Sequence, residues 1–406
     1  MGNEAPARTP GSQIGRANAR SISDIGEIFD GPHATPRRRA TGSKYFLNIS
    51  SLVEGRLDLS RSDRIDDADF AQWTRRVQPR EGDLLFSYET RLGSAALMPA
   101  DLDACLGRRM ALLRPDRSVV DPRFLLYAWL APQFQRTIAR RSVSGATVDR
   151  IPLTELGNWP LDIPSLAVQR AVAEVLGALD DKIAANRRVS HRIDQLVSRL
   201  FSARFDALPT APLATVANVN RLTITPATTG SLRYLDIAAV GQGDFELPPT
   251  STWEQAPSRA RRGVASGDTV WSTVRPNRRS HCLILEDDPL LVASTGLAVL
   301  SPRDCGPAFL YEASKHRRFQ QFLESVAEGS AYPAVRAAEF ANVPVPQADA
   351  SERADFEDHA GPLRRLQSAL RRENRQLAAT RDELLPLLMS GRITVKDAER
   401  RVEEVV

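Results

Sequence analysis

The chain has 406 residues, of which 42% are hydrophobic and 26% are charged. A chain of this length exceeds one ordinary hydrophobic core, so we expect at least two domains. The composition is that of a globular protein and excludes a wholly disordered chain, with only the tails 1–19 and 392–406 polar enough to be loose.

The charge is mildly basic, with a net charge of +4 and a pI near 9.1. The excess comes from arginine clusters at 37–39, 140–141, 261–262 and 278–279. Such clusters favour a polyanionic partner, and each of them alone is equally compatible with a solvated surface.

The cysteines and the N-terminal residues indicate the cellular compartment of the protein. Cys105, Cys282 and Cys305 are odd in number and lack a C-x-x-C pair, so they predict neither a disulfide framework nor a zinc site. The first residues lack the apolar segment of a signal peptide, and there is no apolar run of about 18 residues for a membrane span. We therefore expect a cytoplasmic protein without a metal site.

Residues 20–164 have the pattern of a mixed α/β domain. In chain order they predict two short strands joined by a turn, a Gly-Asp turn that feeds an apolar strand, a helical segment, a glycine-containing loop and a proline-bounded strand. These features lie at 45–49 with 55–59, 81–87, 124–127 with 134–135, 144–147 and 163–164.

A long helix is predicted next, at 165–207. Ser165 suits the N-cap position, and apolar residues recur at spacings of three and four or their sums, as in a coiled coil. The stripe consists of Val172, Val175, Leu179, Ile183, Ile193 and Leu200, with Asn186 on or beside it.

The same order of features then repeats at 208–348, with a period of roughly 185 residues, which indicates two copies of a whole domain with its linker. The repeat-mates lie at 233–237 with 243–247, 266–272, 309–311 with 319–320, 329–332 and 345–346.

A second long helix is predicted at 349–391. Its stripe consists of Leu363, Leu366, Leu370, Leu377 and Leu384, with Asn374 on or beside it. Each asparagine either sits in the seam between the helices, where it would disfavour slipped registers, or faces solvent at its edge. Gly361-Pro362 interrupts the pattern, so we expect a kink or a helix that starts at Pro362.

The predicted fold is α+β, with two mixed α/β domains separated by two long helices that pack as an antiparallel coiled coil, in a pseudo-two-fold internal repeat. The helices can pack in this way if the domains lie at opposite ends of a dumbbell. A helix of roughly 35 residues spans about 50 Å. This length matches about 15 base pairs of B-DNA, so the rod could act as a ruler.

Three stretches, at 29–36, 169–186 and 381–391, resemble the specificity subunits of type I restriction-modification systems. The resemblance covers nearly the whole chain and implies that 20–164 and 208–348 are target-recognition domains that read the two halves of a bipartite DNA site, separated by spacer helices.

The resemblance also implies partners, namely two adenine methyltransferase subunits on the rod and restriction subunits in the full complex. Cofactors would belong to those partners, S-adenosylmethionine to the methyltransferase and ATP with magnesium to the restriction subunit. The Gly361-Pro362 interruption departs from the pattern and puts symmetric binding of the methyltransferases in doubt.

The candidate DNA-binding residues are arginines and lysines for phosphates, and polar side chains on loops for base edges. In the first domain they are His33, Thr35, Arg37, Arg38, Arg39, Lys44, Ser87, Tyr88, Thr90, Arg91, Ser144, Thr147 and Arg150. In the second they are Ser272, Thr273, Arg275, Asn277, Arg278, Arg279, Ser330 and Tyr332. Any one of them is also compatible with a turn residue or a solvated charge.

Catalytic motifs are missing from the sequence. It has no phosphate-binding P-loop, zinc-protease helix, nucleophile elbow or Asn-Pro-Pro-aromatic motif of adenine methyltransferases. The acidic pairs at 66–67, 180–181 and 287–288 lack the Glu-x-Lys partner of metal-dependent nucleases. We therefore expect a non-catalytic subunit. The alternatives are an orphan coiled-coil scaffold whose domains no longer bind DNA, and an enzyme with its own nuclease or methyltransferase site.

Overall fold

The computed structural model describes residues 18–32, 41–144, 148–225, 229–329 and 333–404. The strands before the first long helix are β1 (Asn18–Ser21), β2 (Gly26–Asp30), β3 (Lys44–Phe46), β4 (Leu52–Val53), β5 (Arg56–Leu57), β6 (Asp63–Ile65), β7 (Leu84–Ser87), β8 (Ala95–Leu97), β9 (Ala104–Cys105), β10 (Met110–Pro115), β11 (Val143–Ser144), β12 (Asp149–Arg150) and β13 (Pro160–Ile163). The helices in this region are α1 (Asp67–Trp73), α2 (Pro122–Leu130), α3 (Pro132–Arg141) and α4 (Leu153–Leu156).

The first long helix, α5, covers Leu166–Phe205. It is followed by β14 (Thr210–Pro212), β15 (Ala217–Val219), β16 (Ser231–Leu235), β17 (Thr250–Thr252), β18 (Ala260–Gly263), β19 (Thr269–Ser272), β20 (His281–Leu283), β21 (Leu291–Ser294), β22 (Leu297–Pro302), α6 (Pro307–Lys315), α7 (Arg317–Ser325) and β23 (Pro344–Pro346). The second long helix, α8, covers Ala350–Met389, and α9 covers Val395–Glu403. Short 3-10 helices lie at Ile22–Asp24, Ile49–Ser51, Leu59–Arg61, Leu213–Thr215, Trp253–Gln255, Pro276–Arg278 and Ala337–Asn342.

The sheets confirm the internal repeat. The antiparallel sheet β2-β10-β7-β8 has the strand order of β15-β22-β19-β20, and the pair β1-β13 corresponds to β14-β23. The sheet β6-β3-β9 corresponds to β17-β16-β21, and in both copies the middle strand pairs antiparallel on one side and parallel on the other. β18 extends only the second of these sheets. The two copies therefore share one mixed topology.

The chain folds into two compact units, and each takes part of both long helices. The first unit consists of the described residues within 1–183 and 375–406, and the second of those within 184–374. One core cluster of the first unit joins α2, α3 and α5 to Leu377, Leu384 and α9. The corresponding cluster of the second unit joins the end of α5 to α6, α7 and the start of α8. In each unit, a domain therefore shares its core with the helices.

Polar contacts set the register of the two long helices in the second unit. Asn186 is only 5% exposed, and its Nδ2 donates to Asn374 Oδ1 at 3.0 Å. Gln367 Nε2 donates to the carbonyl oxygen of Ser190 at 2.9 Å. As α5 advances from 186 to 190, its partners on α8 recede from 374 to 367, so the helices are antiparallel. The asparagines lie in the seam and contact each other.

Most positions of the predicted stripe are buried or half-buried, and two are exposed. Leu200 and Leu366 are exposed, whereas Val197 and Phe201 are buried on α5. The remaining predicted residues are buried or half-buried, namely Val172, Val175, Leu179, Ile183, Ile193, Leu363, Leu370, Leu377 and Leu384. The apolar face turns at the end of α5 because the helix there packs on the second domain as well as on α8.

Pro362 does not start the second helix, contrary to one of the two expectations. The helix α8 begins at Ala350 and continues through Gly361-Pro362. Proline removes one backbone donor from a helix interior. The turns on both sides are buried at Phe356, Ala360 and Arg364, so tertiary packing holds the helix across the proline.

Candidate nucleic-acid interface

The exit of strand β7 and the β11-β12 hairpin meet in the first unit. The backbone N–H of Ile151 donates to the carbonyl oxygen of Tyr88 at 2.9 Å. Glu89 and Arg150 form an antiparallel bridge beside this bond. Two segments that are far apart in the sequence and were predicted separately are therefore joined through their backbones.

The second unit contains the same arrangement at the exit of strand β19. Val274 and Ala334 form an antiparallel bridge. Arg275 N donates to the carbonyl oxygen of Pro333 at 2.7 Å, and Val335 N donates to that of Thr273 at 2.8 Å. We call each joined pair of segments an exit loop pair, 87–91 with 148–151 in the first unit and 272–279 with 333–335 in the second.

Both exit loops contain a non-glycine residue in the left-handed region. Thr90 has φ of 68° and Arg275 has φ of 51°, and they occupy equivalent positions after Ser87 and Ser272. Arg279, at the other end of the turn Pro276–Arg278, has φ of 55°. This conformation is costly for a side chain with a Cβ, and such residues concentrate at functional sites. The structure keeps it at the same place in both copies.

Four predicted contact residues are buried, which removes their side chains from the surface. Ser87 and Ser272 are at most 1% exposed, and each hydroxyl donates to the carbonyl oxygen two residues later, at 2.7 and 2.8 Å. Thr273 Oγ1 donates to the carbonyl oxygen of Gly296 at 2.9 Å. Burial, then Asp30, raise the pKa of Tyr88, which keeps its phenol protonated. These four side chains shape the exit loops from inside, because each polar strand exit turns back into the core.

The remaining polar residues of the exit loops reach solvent. Thr90, Arg91 and Arg150 are exposed in the first unit, and Asn277 and Arg278 are exposed in the second. Arg275 and Arg279 are half-buried. These side chains form a surface of cations and hydrogen-bonding groups, which suits phosphates and base edges.

Sequence reasoning missed Arg109. Its guanidinium lies 3.1 Å from the Glu89 carboxylate and donates to Thr90 Oγ1 at 3.1 Å, and its backbone has φ of 71°. The pair Arg108-Arg109 directly before β10 was the available signal, but only the pairing of β10 with β7 brings it beside the exit loop.

The hydrogen-bond partner of Lys44 lies outside the exit loop pair. It pairs with Asp103, which raises its pKa, and it stands over the Phe70 ring at 5.4 Å. The remaining predicted contacts, His33, Thr35, Arg37, Arg38, Arg39, Thr147, Ser330 and Tyr332, lie outside the described residues. Ser144 is described only as part of strand β11.

A second surface feature is an apolar patch on the helices of the second unit. It consists of Val189, Leu196 and Leu200 on α5 and Leu366 on α8, whose exposed fractions are 45%, 49%, 37% and 45%. The hydrogen bond between Gln367 and Ser190 brings Leu366 to the level of Val189. Arg188, Arg192 and Arg199 are exposed on α5 next to these apolar residues in the sequence. The patch is therefore amphipathic and basic.

Within the described ranges, no group of three or more histidine, cysteine or carboxylate side chains is arranged to hold a metal ion. Among the same residues, no helix is long and apolar enough to cross a membrane.

Curated relatives were found by sequence comparison, whereas no family model matches the chain. A protein of Methanocaldococcus jannaschii, assigned as the specificity subunit of the type I restriction enzyme MjaX, is 20% identical over 416 aligned residues, which cover 93% of each chain. The specificity subunit of the type I restriction enzyme HindI from Haemophilus influenzae is 26% identical over 132 residues, 31% of this chain and 28% of that one. These matches support identification as a type I specificity subunit.

One solved structure is similar to the chain in fold. The crystal structure of the S subunit of a type I restriction-modification system from M. genitalium matches with a TM-score of 0.58 at 15% identity, and covers 94% of this chain and 98% of that one. The predicted combination of mixed α/β domains with two long helices is thereby confirmed. The expectation of a specificity subunit rather than a catalytic chain agrees with the names of both curated relatives.

Proposed function

We propose that the chain gives DNA sequence specificity to a type I restriction-modification complex. In this proposal its two recognition domains read the two halves of a bipartite site, and the chain docks two adenine methyltransferase subunits and, through them, restriction subunits. S-adenosylmethionine would then be bound by the methyltransferase, and ATP with magnesium by the restriction subunit.

The observation that carries the proposal is the duplication of the exit loop pair. Both copies join the same two segments through the backbone, hold a residue at the same position in the left-handed region, and expose arginines. Two similar surfaces with different side chains suit two half-sites of different sequence, because base edges are read by individual side chains on a common framework.

The apolar patch supports a protein partner on the helices. Single exposed apolar residues are common, but four large ones grouped on two neighbouring helices are typical of an interface. Substituting Val189 and Leu196 by Ser should weaken methyltransferase binding, which co-purification would measure. Substituting Leu222, which is 48% exposed outside the patch, by Ser is the matched control.

Mapping methylated adenines tests the proposal directly. The gene would be expressed with that of a cognate methyltransferase in a host that lacks such systems. A bipartite motif with a fixed spacer, absent without this chain, is the expected result. Exchanging residues 20–164 for those of a relative should then change one half-site only. Assembly of the complex without any such motif would favour the orphan scaffold.

Single arginines test the exit loops. Arg91→Ala and Arg278→Ala should each weaken specific binding by about 1–3 kcal/mol if the side chain reads a base, and should relax the sequence preference at that position. Arg170→Ala provides the matched loss of an exposed charge away from the loops. Equal weakening on all sequences would assign the arginine to a phosphate instead.

A further inference from the structure

A cavity of about 580 Å³ lies in the second unit, between the end of α5 and the junction of α6 with α7. Its lining includes the cations Arg279, Lys315, Arg317 and Arg318, the imidazole of His316 and the carboxylates of Asp206 and Glu312. Cations therefore outnumber carboxylates in this concave site. Of the second exit loop pair, Arg279 alone lines the cavity.

The acidic groups of this cavity already have partners. Asp206 Oδ1 lies 3.1 Å from His316 Nε2, and Glu312 pairs with Arg364. Lys315 Nζ is likewise held at 2.7 Å from Asp194 Oδ1 and at 2.8 Å from Ser198 Oγ. These internal contacts thus account for Lys315 and for both carboxylates.

Three guanidinium groups remain without a carboxylate in the part of the chain that the structure describes. Arg279 Nη2 donates to the carbonyl oxygen of Lys315 at 3.1 Å, and Arg318 Nη2 donates to that of Asp206 at 3.3 Å. Arg317 is exposed at the rim. The two carbonyl contacts position two of these groups without neutralising their charge.

The first unit provides an internal comparison for this cavity. The junction of α2 with α3 has the same backbone, with φ and ψ of −60° and 143° at Ala131 against −62° and 147° at His316. The sequence there is Leu130-Ala131-Pro132-Gln133, where the second unit has Lys315-His316-Arg317-Arg318. The cavity at that junction measures about 180 Å³ and has no arginine or lysine in its lining. The fold therefore does not require the cations of the second unit.

Guanidinium groups bind phosphate through paired charge-assisted hydrogen bonds, which makes arginine the preferred residue for a phosphate oxygen. We propose that the cavity at the α6-α7 junction binds a phosphate group, and that the second unit alone has this site. The phosphate is either a phosphodiester of the DNA backbone beside the second exit loop pair or a free phosphate. The DNA source rests on the proposed function, whereas the free source does not.

Titration of the full chain with inorganic phosphate, followed by calorimetry, tests the site without DNA. The variant Arg317→Gln with Arg318→Gln should bind phosphate about a hundredfold more weakly, since each of the two lost charged hydrogen bonds is worth about tenfold. The variant Arg259→Gln removes one exposed arginine of the same unit outside the cavity and should bind like the wild type. Unchanged thermal unfolding would show that both variants fold.

Binding to nonspecific duplex DNA at several salt concentrations identifies the source. Loss of a backbone contact lowers the slope of log K against log salt by about 1 for each arginine. A lower slope in the double variant assigns the site to DNA, and an unchanged slope with weaker phosphate binding assigns it to free phosphate. If neither measurement changes, the proposal is wrong. If the wild type binds no DNA, the proposed function fails while the phosphate titration still decides this site.

Discussion

The two units attach their domains to the long helices with different chemistry. In the first unit, the Tyr127 hydroxyl of α2 donates to Asp180 Oδ2 at 2.7 Å, and Arg381 of α8 donates to the other carboxylate oxygen at 2.7 Å. Arg123 adds an ion pair with Asp181 at 2.6 Å. This anchor is partly exposed, with 17% of the Asp180 side chain and 38% of the Arg123 side chain accessible.

In the second unit, the position of Tyr127 is occupied by Glu312, and the anchor becomes an ionic cluster. Glu312 pairs with Arg364 of α8, and both side chains are 2% exposed. Lys315 and Arg364 both contact Asp194 Oδ1, at 2.7 and 2.9 Å. Ser198 donates to Glu312 Oε2 at 2.9 Å.

The difference shows how a duplicated topology tolerates divergence at its junctions. Burial, then Asp180, raise the pKa of Tyr127, so its phenol stays protonated and can be buried at little cost. A buried carboxylate instead requires cations. Burial opposes the charge of Arg364, but Glu312, Tyr311 and Asp194 outweigh it and raise its pKa. The second anchor therefore depends on all of its members, whereas the first does not.

The largest expected effect is from Arg364→Met. It leaves Glu312 buried with only Lys315 as its cation, so the free energy of unfolding should fall by about 3–5 kcal/mol. Urea denaturation measures this loss. The matched change in the first unit, Arg381→Met, removes a charged hydrogen bond from a less buried group and should cost about 1.5–3 kcal/mol. Equal losses would contradict the proposed contrast between the anchors.

Acid should weaken the second anchor. Burial alone would raise the pKa of Asp194, but Lys315 and Arg364 lower it below 3.8. A lowered folded-state pKa stabilises the protein above the unfolded value, and this contribution is lost as the pH falls through the folded value. Unfolding free energies at pH 5 and pH 3 should therefore differ more in the wild type than in Asp194→Asn. The same fall in both would remove Asp194 from the cluster.

A smaller effect is expected where the long helices meet the start of the domain helices. Glu357 Oε2 accepts from Ala308 N at 2.9 Å and from Phe309 N at 3.2 Å. Gln169 is the equivalent residue of α5, because it precedes Asn186 by as many residues as Glu357 precedes Asn374. Its side-chain oxygen accepts from Asp121 N at 2.8 Å. Glu357→Gln should therefore preserve the contact.

The pH dependence of Glu357→Gln checks that comparison. Burial raises the pKa of Glu357 above 4.5 against the opposing backbone hydrogen bonds, so wild-type stability should fall as the pH rises through the raised value. The glutamine variant lacks this fall, so its free energy of unfolding relative to the wild type should be higher at pH 7 than at pH 4. A variant less stable than the wild type at pH 7 would show that the carboxylate charge itself is required.

Local patterns account for what could be predicted of the candidate interface. The polar strand exits and the glycine-containing loops were both recognised from turn chemistry, which depends on neighbouring residues. Their joining through the backbone of Tyr88 and Ile151 could not be predicted, because it depends on pairing across the fold. For the same reason, the sequence did not predict that the Ser87 side chain is buried or that Arg109 contacts the exit loop at Thr90.

The sequence by itself determined the duplication, the two long helices and the resemblance to specificity subunits, because apolar periodicity, turns and repeats are written in consecutive residues. Only the tertiary structure decided that Leu200 and Leu366 are exposed, that α8 continues through Pro362, and that Glu312 and Arg364 are buried together. The physical reason is that the burial of a side chain depends on every element packed around it, and residues far away in the chain supply most of those elements.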